Sequence, residues 1–142
     1  MSGARVFEVS RRLRFGECDP SGIAYFPAYM AMMVAVTEDL FAAIGWPWPR
    51  LAREHGLATP TVHLEVTFRQ PGFEGDHLRL ACRVERLGAR SLDLTHQVSR
   101  DGTLLWLADQ RLVAASLETR RSAPWPEAVR AAFAPYLETT NA

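Results

Sequence analysis

Lysine is missing altogether from these 142 residues: all 16 basic side chains are arginine. Its absence excludes Schiff-base catalysis and the phosphate-binding lysine of a P-loop. Cysteine is nearly as scarce. Cys18 and Cys82 are the only two, and neither a Cys-x-x-Cys pair nor a Cys/His zinc spacing occurs, which points to a reduced protein with no metal and no resident cofactor. Net charge is lacking too, since 16 acidic residues balance the 16 basic ones. That removes any global attraction to nucleic acid or to a membrane surface. No apolar run reaches the roughly 18 residues of a membrane span, because Thr37, Glu38 and Asp39 interrupt the one long stretch. The opening Met-Ser-Gly-Ala-Arg-Val-Phe-Glu has no apolar segment of the secretory kind. Internal repeats and linkers are absent as well. Together these absences predict a single cytoplasmic domain over residues 1–142, with a frayed tail over 138–142.

A hydrophobic share of 48% suffices for a real core at this length. The stretch that organises it runs from Gly16 to Tyr29. Asp19, Pro20, Ser21 and Gly22 form a turn: a carboxylate, a fixed φ, a hydroxyl and a free φ. Pro27 then sits in the first turn of a helix, where its missing N–H is not needed. A carboxylate is thereby held just ahead of a helix head, which carries unpaired N–H groups and about half a unit of positive charge. An acyl carbonyl between the two would be polarised by the amides and open to attack from the carboxylate side. That is the layout of an acyl-transfer site, although the same residues also make an ordinary capped turn.

Periodicity predicts a first strand over 5–15, with Phe7, Val9, Leu13 and Phe15 on the buried face and Arg11 breaking it at a sheet edge. The helix over 25–44 is apolar on every side for three turns, so it is expected to be buried all round. Gly45 and Pro47 end it. Met30, Met32 and Met33 either fill the core or line an adaptable acyl pocket. Trp46-Pro47-Trp48-Pro49 is a stiff turn before a short helix over 50–55. Strands over 61–69, 77–87, 91–100 and 103–118 follow. Val62, Leu64, Val66 and Phe68 share one face of the first, and Leu92, Leu94, His96 and Val98 one face of the third. Asp101-Gly102 marks a hairpin, and a last helix runs from Pro126 to Leu137. The fold class is α+β: an antiparallel sheet of about five strands wrapped around one long central helix, plus a C-terminal helix. One sheet cannot cover a helix that is apolar on all sides, so a homo-oligomer is expected, a dimer or a dimer of dimers.

Arg14-Phe15-Gly16-Glu17-Cys18-Asp19-Pro20-Ser21-Gly22-Ile23-Ala24-Tyr25-Phe26-Pro27-Ala28-Tyr29 resembles the signature of the hotdog-fold acyl-CoA thioesterases of the 4-hydroxybenzoyl-CoA type. The likeness continues through Gly45-Trp46-Pro47, Thr59-Pro60 and Gly88-Ala89-Arg90-Ser91, over about the first 120 residues. It implies that Asp19 is the catalytic carboxylate, as nucleophile or as general base on water. It implies that the Phe26 backbone N–H binds the thioester oxygen, that Arg90 and Ser91 hold the nucleotide end of CoA, and that the site lies between two subunits. CoA is then part of the substrate and not a cofactor. Tyr25, Met30, Val34, Thr59, Thr61 and His63 complete the candidate substrate-binding set.

Read from the residues alone, Arg90 is equally a solvated turn charge, and Arg69, Arg86, Arg120 and Arg121 offer phosphate the same chemistry. Cys18 with His63 or His96 as base is a rival nucleophile. His63 and Glu65 share a polar strand face and either orient a ligand or make a surface contact. Two departures from the family matter. Some relatives carry Tyr-His where this chain has Tyr25-Phe26, and hydroxybenzoyl-type relatives can place an acid where this helix runs apolar from Met30 to Ala35. A buried ring hydroxyl would find no partner there, so a benzoyl-type or other apolar acyl group is expected. Two other functions compete. A hotdog hydratase or dehydratase needs a His paired with an acid in the helix region, and no His precedes His55. A non-catalytic dimer binding acyl-CoA or an acyl carrier needs neither.

Overall fold

Alternation of Phe7, Val9 and Arg11 with Glu8, Ser10 and Arg12 makes strand β1 (Phe7–Arg12), the first element of a computed structural model that describes residues 3–138. Of the tail expected to fray, only Glu138 is among them. Leu13 takes the last inward position, its amide bonded to the Asp76 carbonyl and its own carbonyl to the Gly75 amide. A single 3-10 turn over Phe15–Glu17 follows and points Phe15 outward, 83% exposed. The expectation that Phe15 shares the buried face is thus corrected: the chain must leave the sheet after Leu13 to start the loop. Arg11 does stand at an edge, where its Nη2 donates to both oxygens of Glu17 at 2.7 Å.

Helix α1 (Phe26–Ala43) crosses the inner face of the sheet. Helix α2 (Trp48–His55) and strand β2 (Leu57–Ala58) lead to β3 (Thr61–Phe68), β4 (His77–Leu87), β5 (Ser91–Arg100) and β6 (Thr103–Val113). The sheet is antiparallel throughout, in the order β1-β4-β5-β6-β3. This is the hotdog arrangement. Asp101 and Gly102 both take positive φ, 50° and 81°, as the hairpin between β5 and β6 demands. The last strand stops at Val113 and not near 118, because Ala115–Ser116 peels away as β7 to pair with β2. The C-terminal helix is likewise shorter than expected. Helix α3 (Glu127–Ala132) gives way at Phe133 to a 3-10 turn over Ala134–Tyr136, where Pro135 cannot continue an α-helical ladder.

Tyr29, Met32, Met33, Val36, Leu40 and Phe41 of α1 pack on Leu78, Leu80, Leu92, Leu94, Val98 and Trp106 of the sheet. Trp125 and Phe133 close the tail end around Phe41. The opposite side of α1 faces out, with Phe26 57% and Val34 46% exposed. Burial on every side is therefore corrected for the single chain: one sheet covers one face. By length and composition alone α1 could cross a membrane, yet 39% of it is buried in the fold. The edge strand β3 is left just as bare. Leu64, Val66 and Phe68 share the inward face as predicted. A bulge between Thr61 and His63 breaks the alternation there and brings Thr61 to that face, opposite Leu112, which corrects its place among the outward residues. Val62, Leu64 and Phe68 are all exposed.

Candidate active site

The loop before α1 is folded back on itself. Cys18 and Ala24 form an isolated bridge, and the Asp19 amide donates to the Ile23 carbonyl at 2.9 Å. Asp19 therefore lies alongside Ile23, and the three residues from there to the helix head span at most about 10 Å of chain. Its Oδ1 accepts hydrogen bonds from the Ser21 amide at 2.9 Å and from the Ser21 hydroxyl. The Ser21 hydroxyl above all holds the Asp19 carboxyl below the usual carboxylate range, against desolvation, with the Ser21 and Ile23 amides adding smaller pulls. No protein donor among the described residues reaches Oδ2. One oxygen is anchored and the other is presented.

Two of the neighbouring acids, Glu17 and Asp76, are already committed, while Glu74 shares the hollow. Glu17 is held by Arg11 and the Arg14 amide, and Asp76 by the Phe73 amide at 2.8 Å and Arg100 at 2.5 Å. The surroundings of Cys18 disfavour its thiolate. Burial first, then the charges of Glu74 and Asp19, pushes its thiol up, and the sulfur lies 3.6 Å from the Arg14 carbonyl. The bases proposed for it sit elsewhere, His96 in the core and His63 on β3.

The head of α1 offers a single free amide. Pro27 has no N–H, the Ala28 and Tyr29 amides both donate to the Tyr25 carbonyl, and the Phe26 amide has no acceptor among the described residues. Asp19 lines a hollow of about 470 Å³ with Phe15, Cys18, Pro20, Gly22 and Glu74. Phe26 lines the next one, about 390 Å³, with Ile23, Tyr29, Phe68, Arg69 and Gly72. Within one chain the carboxylate and the helix head thus line two separate hollows, contributed by consecutive stretches of the same loop.

Beneath the loop lies Gly72, whose carbonyl accepts the Ala24 amide at 2.8 Å. A Cβ at this position would overlap the Tyr29 hydroxyl. That hydroxyl is buried without a hydrogen-bond partner, and burial, with the Asp76 charge adding, pushes Tyr29 up to about 12. Gly72→Ala is expected to cost about 1–3 kcal/mol through this clash, read by denaturant unfolding. In a Tyr29→Phe background, where the hydroxyl is gone, most of that cost should vanish; an equal cost in both backgrounds would show the clash is not its cause.

The other predicted residues stand at the opposite end. Strand β4 starts beside the Asp19 loop and ends at the Gly88–Ser91 turn, and its 11 residues extend about 33 Å. Arg90 and Ser91 are therefore remote from the Asp19 of their own chain. Arg90 is exposed and its Nη1 donates to the Ser122 carbonyl at 3.0 Å, while the Ser91 carbonyl accepts from the Gly88 amide and Trp125 Nε1. Thr61 is paired with Leu112, which is paired with Leu92, again at the far end. Thr59 lines an apolar groove of about 550 Å³ with Trp48, Leu57, Pro60, Leu117 and Arg120, beyond the tail of α1. His63 lies next to Arg111 in the outer, polar layer of β3 and β6. Tyr25 (55% exposed) stays at the helix head, with Met30 one turn on and Val34 midway. The candidate site is thus split into two halves, one at each end of the molecule.

Sequence reasoning missed three parts of this. The aromatic turn at Trp46–Pro49 was read for stiffness and not as a groove wall. Gly72 gave no signal beyond a Pro-Gly turn. Gln110 was the readable one, a lone amide among the inward positions Ala108 and Leu112 of a central strand.

The family model described as the thioesterase-like superfamily matches residues 13–133. A 4-hydroxybenzoyl-CoA thioesterase from a Pseudomonas species is 31% identical over 99 residues, 68% of this chain and 70% of that protein. A 1,4-dihydroxy-2-naphthoyl-CoA hydrolase from Synechococcus elongatus is 25% identical over 122 residues, 85% of this chain and 90% of its own. Among solved structures, an Asp-to-Asn mutant of 4-hydroxybenzoyl-CoA thioesterase complexed with 4-hydroxybenzoyl-CoA superposes with a TM-score of 0.84 at 26% identity, covering 91% of this chain and 99% of that one.

Proposed function

The chain belongs to the thioesterase-like superfamily, and on that footing we propose that it hydrolyses acyl-CoA thioesters in the cytoplasm, at sites shared by two copies. Asp19 attacks the thioester carbonyl or draws a proton from the water that does. The Phe26 amide receives the negative charge that develops on the carbonyl oxygen, and the CoA thiolate leaves. Where Asp19 itself attacks, water then cleaves the mixed anhydride it forms, releasing the acid and restoring the carboxylate. The observation that carries this reading is the loop itself: a carboxylate with one oxygen anchored and one free, beside a helix head with one unpaired amide.

The split between the two ends supports a dimer. A twofold axis through the middle of β3, near Leu64 and Glu65, would pair that strand with its copy and cover Val62, Leu64 and Phe68 on both. Each such side chain contributes about 1.5–3 kcal/mol when fully buried. The rotation reverses α1 as well, so the head of one helix meets the tail half of the other. Thr61 then falls beside the partner's Phe68, whose ring lies 6.2 Å from Phe26 within each chain. Thr59, the apolar groove and Arg90 reach the partner's Asp19 in the same way. The acyl group lies along the exposed side of α1 where it meets the partner's groove, and Arg90 takes the nucleotide phosphates.

Incubation with a panel of acyl-CoAs, reading free thiol, tests the activity; no release from any of them would defeat the reading. The exposed side of α1 carries no polar group between Phe26 and Glu38, and Thr37 is turned into the core. Benzoyl-CoA is therefore expected to turn over faster than 4-hydroxybenzoyl-CoA, whose hydroxyl would lose its hydration without compensation. A clear preference for the hydroxylated substrate would overturn this assignment of the acyl group.

A further inference from the structure

A buried polar chain runs from the core to the edge strand. Thr37, His96 and Gln110 are each at most 3% exposed. His96 Nε2 meets Gln110 Oε1 at 2.8 Å, and the Thr37 hydroxyl, 3.0 Å from the Met33 carbonyl, lies 3.1 Å from the same Gln110 oxygen. Gln110 Nε2 then donates to the Thr61 hydroxyl at 2.9 Å. With the glutamine oxygen held from two sides, its NH₂ is fixed toward β3. Thr61 accepts that bond, which leaves its single proton free to be donated, and no acceptor for it is found among the described residues.

Burying three polar side chains in an otherwise apolar layer is costly unless they are hydrogen-bonded, and here each is bonded in a chain that ends at the exposed Thr61. The helix head has a use for the free proton at that end. Oxyanion sites ordinarily use more than one donor, and here Pro27 and the bonds to the Tyr25 carbonyl leave Phe26 as the only free amide. We infer that the Thr61 hydroxyl is the second oxyanion donor, delivered to the partner's helix head, and that Gln110, fixed by His96, is the positioning residue that turns its proton outward. The assignment rests on the thioesterase reading and on the shared sites proposed above. It makes β3 part of the catalytic apparatus as well as of the interface. Ser is expected to substitute for Thr61, and Val, of the same shape without a proton, is not.

The test is a double-mutant cycle on wild-type-active substrate from the acyl-CoA panel. Thr61→Val is expected to lower kcat about tenfold with KM little changed, as loss of a bond made chiefly in the transition state requires. Gln110→Leu should lower kcat similarly, and the double variant should be no slower than the slower single one. Thr61→Ser should stay within about twofold of wild type. Thr61 lies on the exposed edge strand, so Thr61→Val folds whether or not Gln110→Leu does, and its kcat alone decides the donor role. Wild-type kcat in Thr61→Val would overturn the inference while leaving the thioesterase intact. Additive losses in the double variant would overturn the positioning role of Gln110. A wild-type protein inactive on the whole panel would instead defeat the underlying function.

Discussion

Asp19→Asn is expected to reduce thioester hydrolysis by about a thousandfold or more without disturbing the fold. The amide oxygen of Asn can still accept from the Ser21 amide and hydroxyl, so the turn stays closed; what is lost is the free, charged Oδ2. Circular dichroism and thermal melting should match wild type, and free-thiol release should be near background. Activity retained in this variant would sink the assignment. The pH profile follows from the same contacts. The reactive form is the carboxylate, present above its pKa, and the Ser21 hydroxyl lowers that pKa. The wild-type rate should therefore hold as the pH falls toward the ordinary carboxylate range, and drop only below it. Ser21→Ala removes the leading cause of the shift, so its acid limb should move to higher pH. An unmoved limb would mean that another group sets it.

Leu64→Asp is expected to yield inactive monomers. Position 64 lies next to the proposed twofold axis, so the new carboxylates of the two chains would face each other across the strand pair. Like charges so placed oppose pairing, and the side chain is 40% exposed in the single chain, so the monomer loses little by the change. Light scattering should report half the wild-type mass, and hydrolysis should drop at least about a hundredfold. A fully active monomer would place the whole site within one chain. Subunit mixing sharpens the point. Asp19→Asn lacks the carboxylate at one end, and Thr59→Trp blocks the groove at the other. Each homodimer should be inactive, yet random exchange makes half of the dimers mixed, each with one sound site, and about a quarter of wild-type activity should return. Mixed dimers that form and remain inactive would refute the shared site.

The loop and the helix were legible in the sequence because their physics is local. Turn residues at Asp19–Gly22, Pro27 in the first helical turn and Gly45 past the last are set by φ preferences and missing donors, which need no distant partner. The alternation in β4 and β5 was legible for a similar reason, since both strands are interior and each inward residue is buried. Phe15 misled because period-two counting does not register where a strand must leave its sheet; Leu13 and its bonds to residues 75 and 76 decide that. The separation of Asp19 from Arg90 was invisible for a deeper reason. Motif residues were collected as one list, and only the length of β4 shows that a single chain holds them at opposite ends. Gly72 needed the tertiary structure too, because its constraint is the hydroxyl of a residue 43 positions away.

The two borders of the sheet are unlike, and that difference limits growth. The β3 border is bare and greasy, whereas the β1 border carries Glu8, Arg11 and Arg12, with Arg11 locked to Glu17. If two molecules join through β3, each sticky border is consumed by the other and the joined sheet ends on both flanks in charged strands. Stacking strand upon strand into a fibre, the standing hazard of an uncovered strand, is then closed off after one round of association.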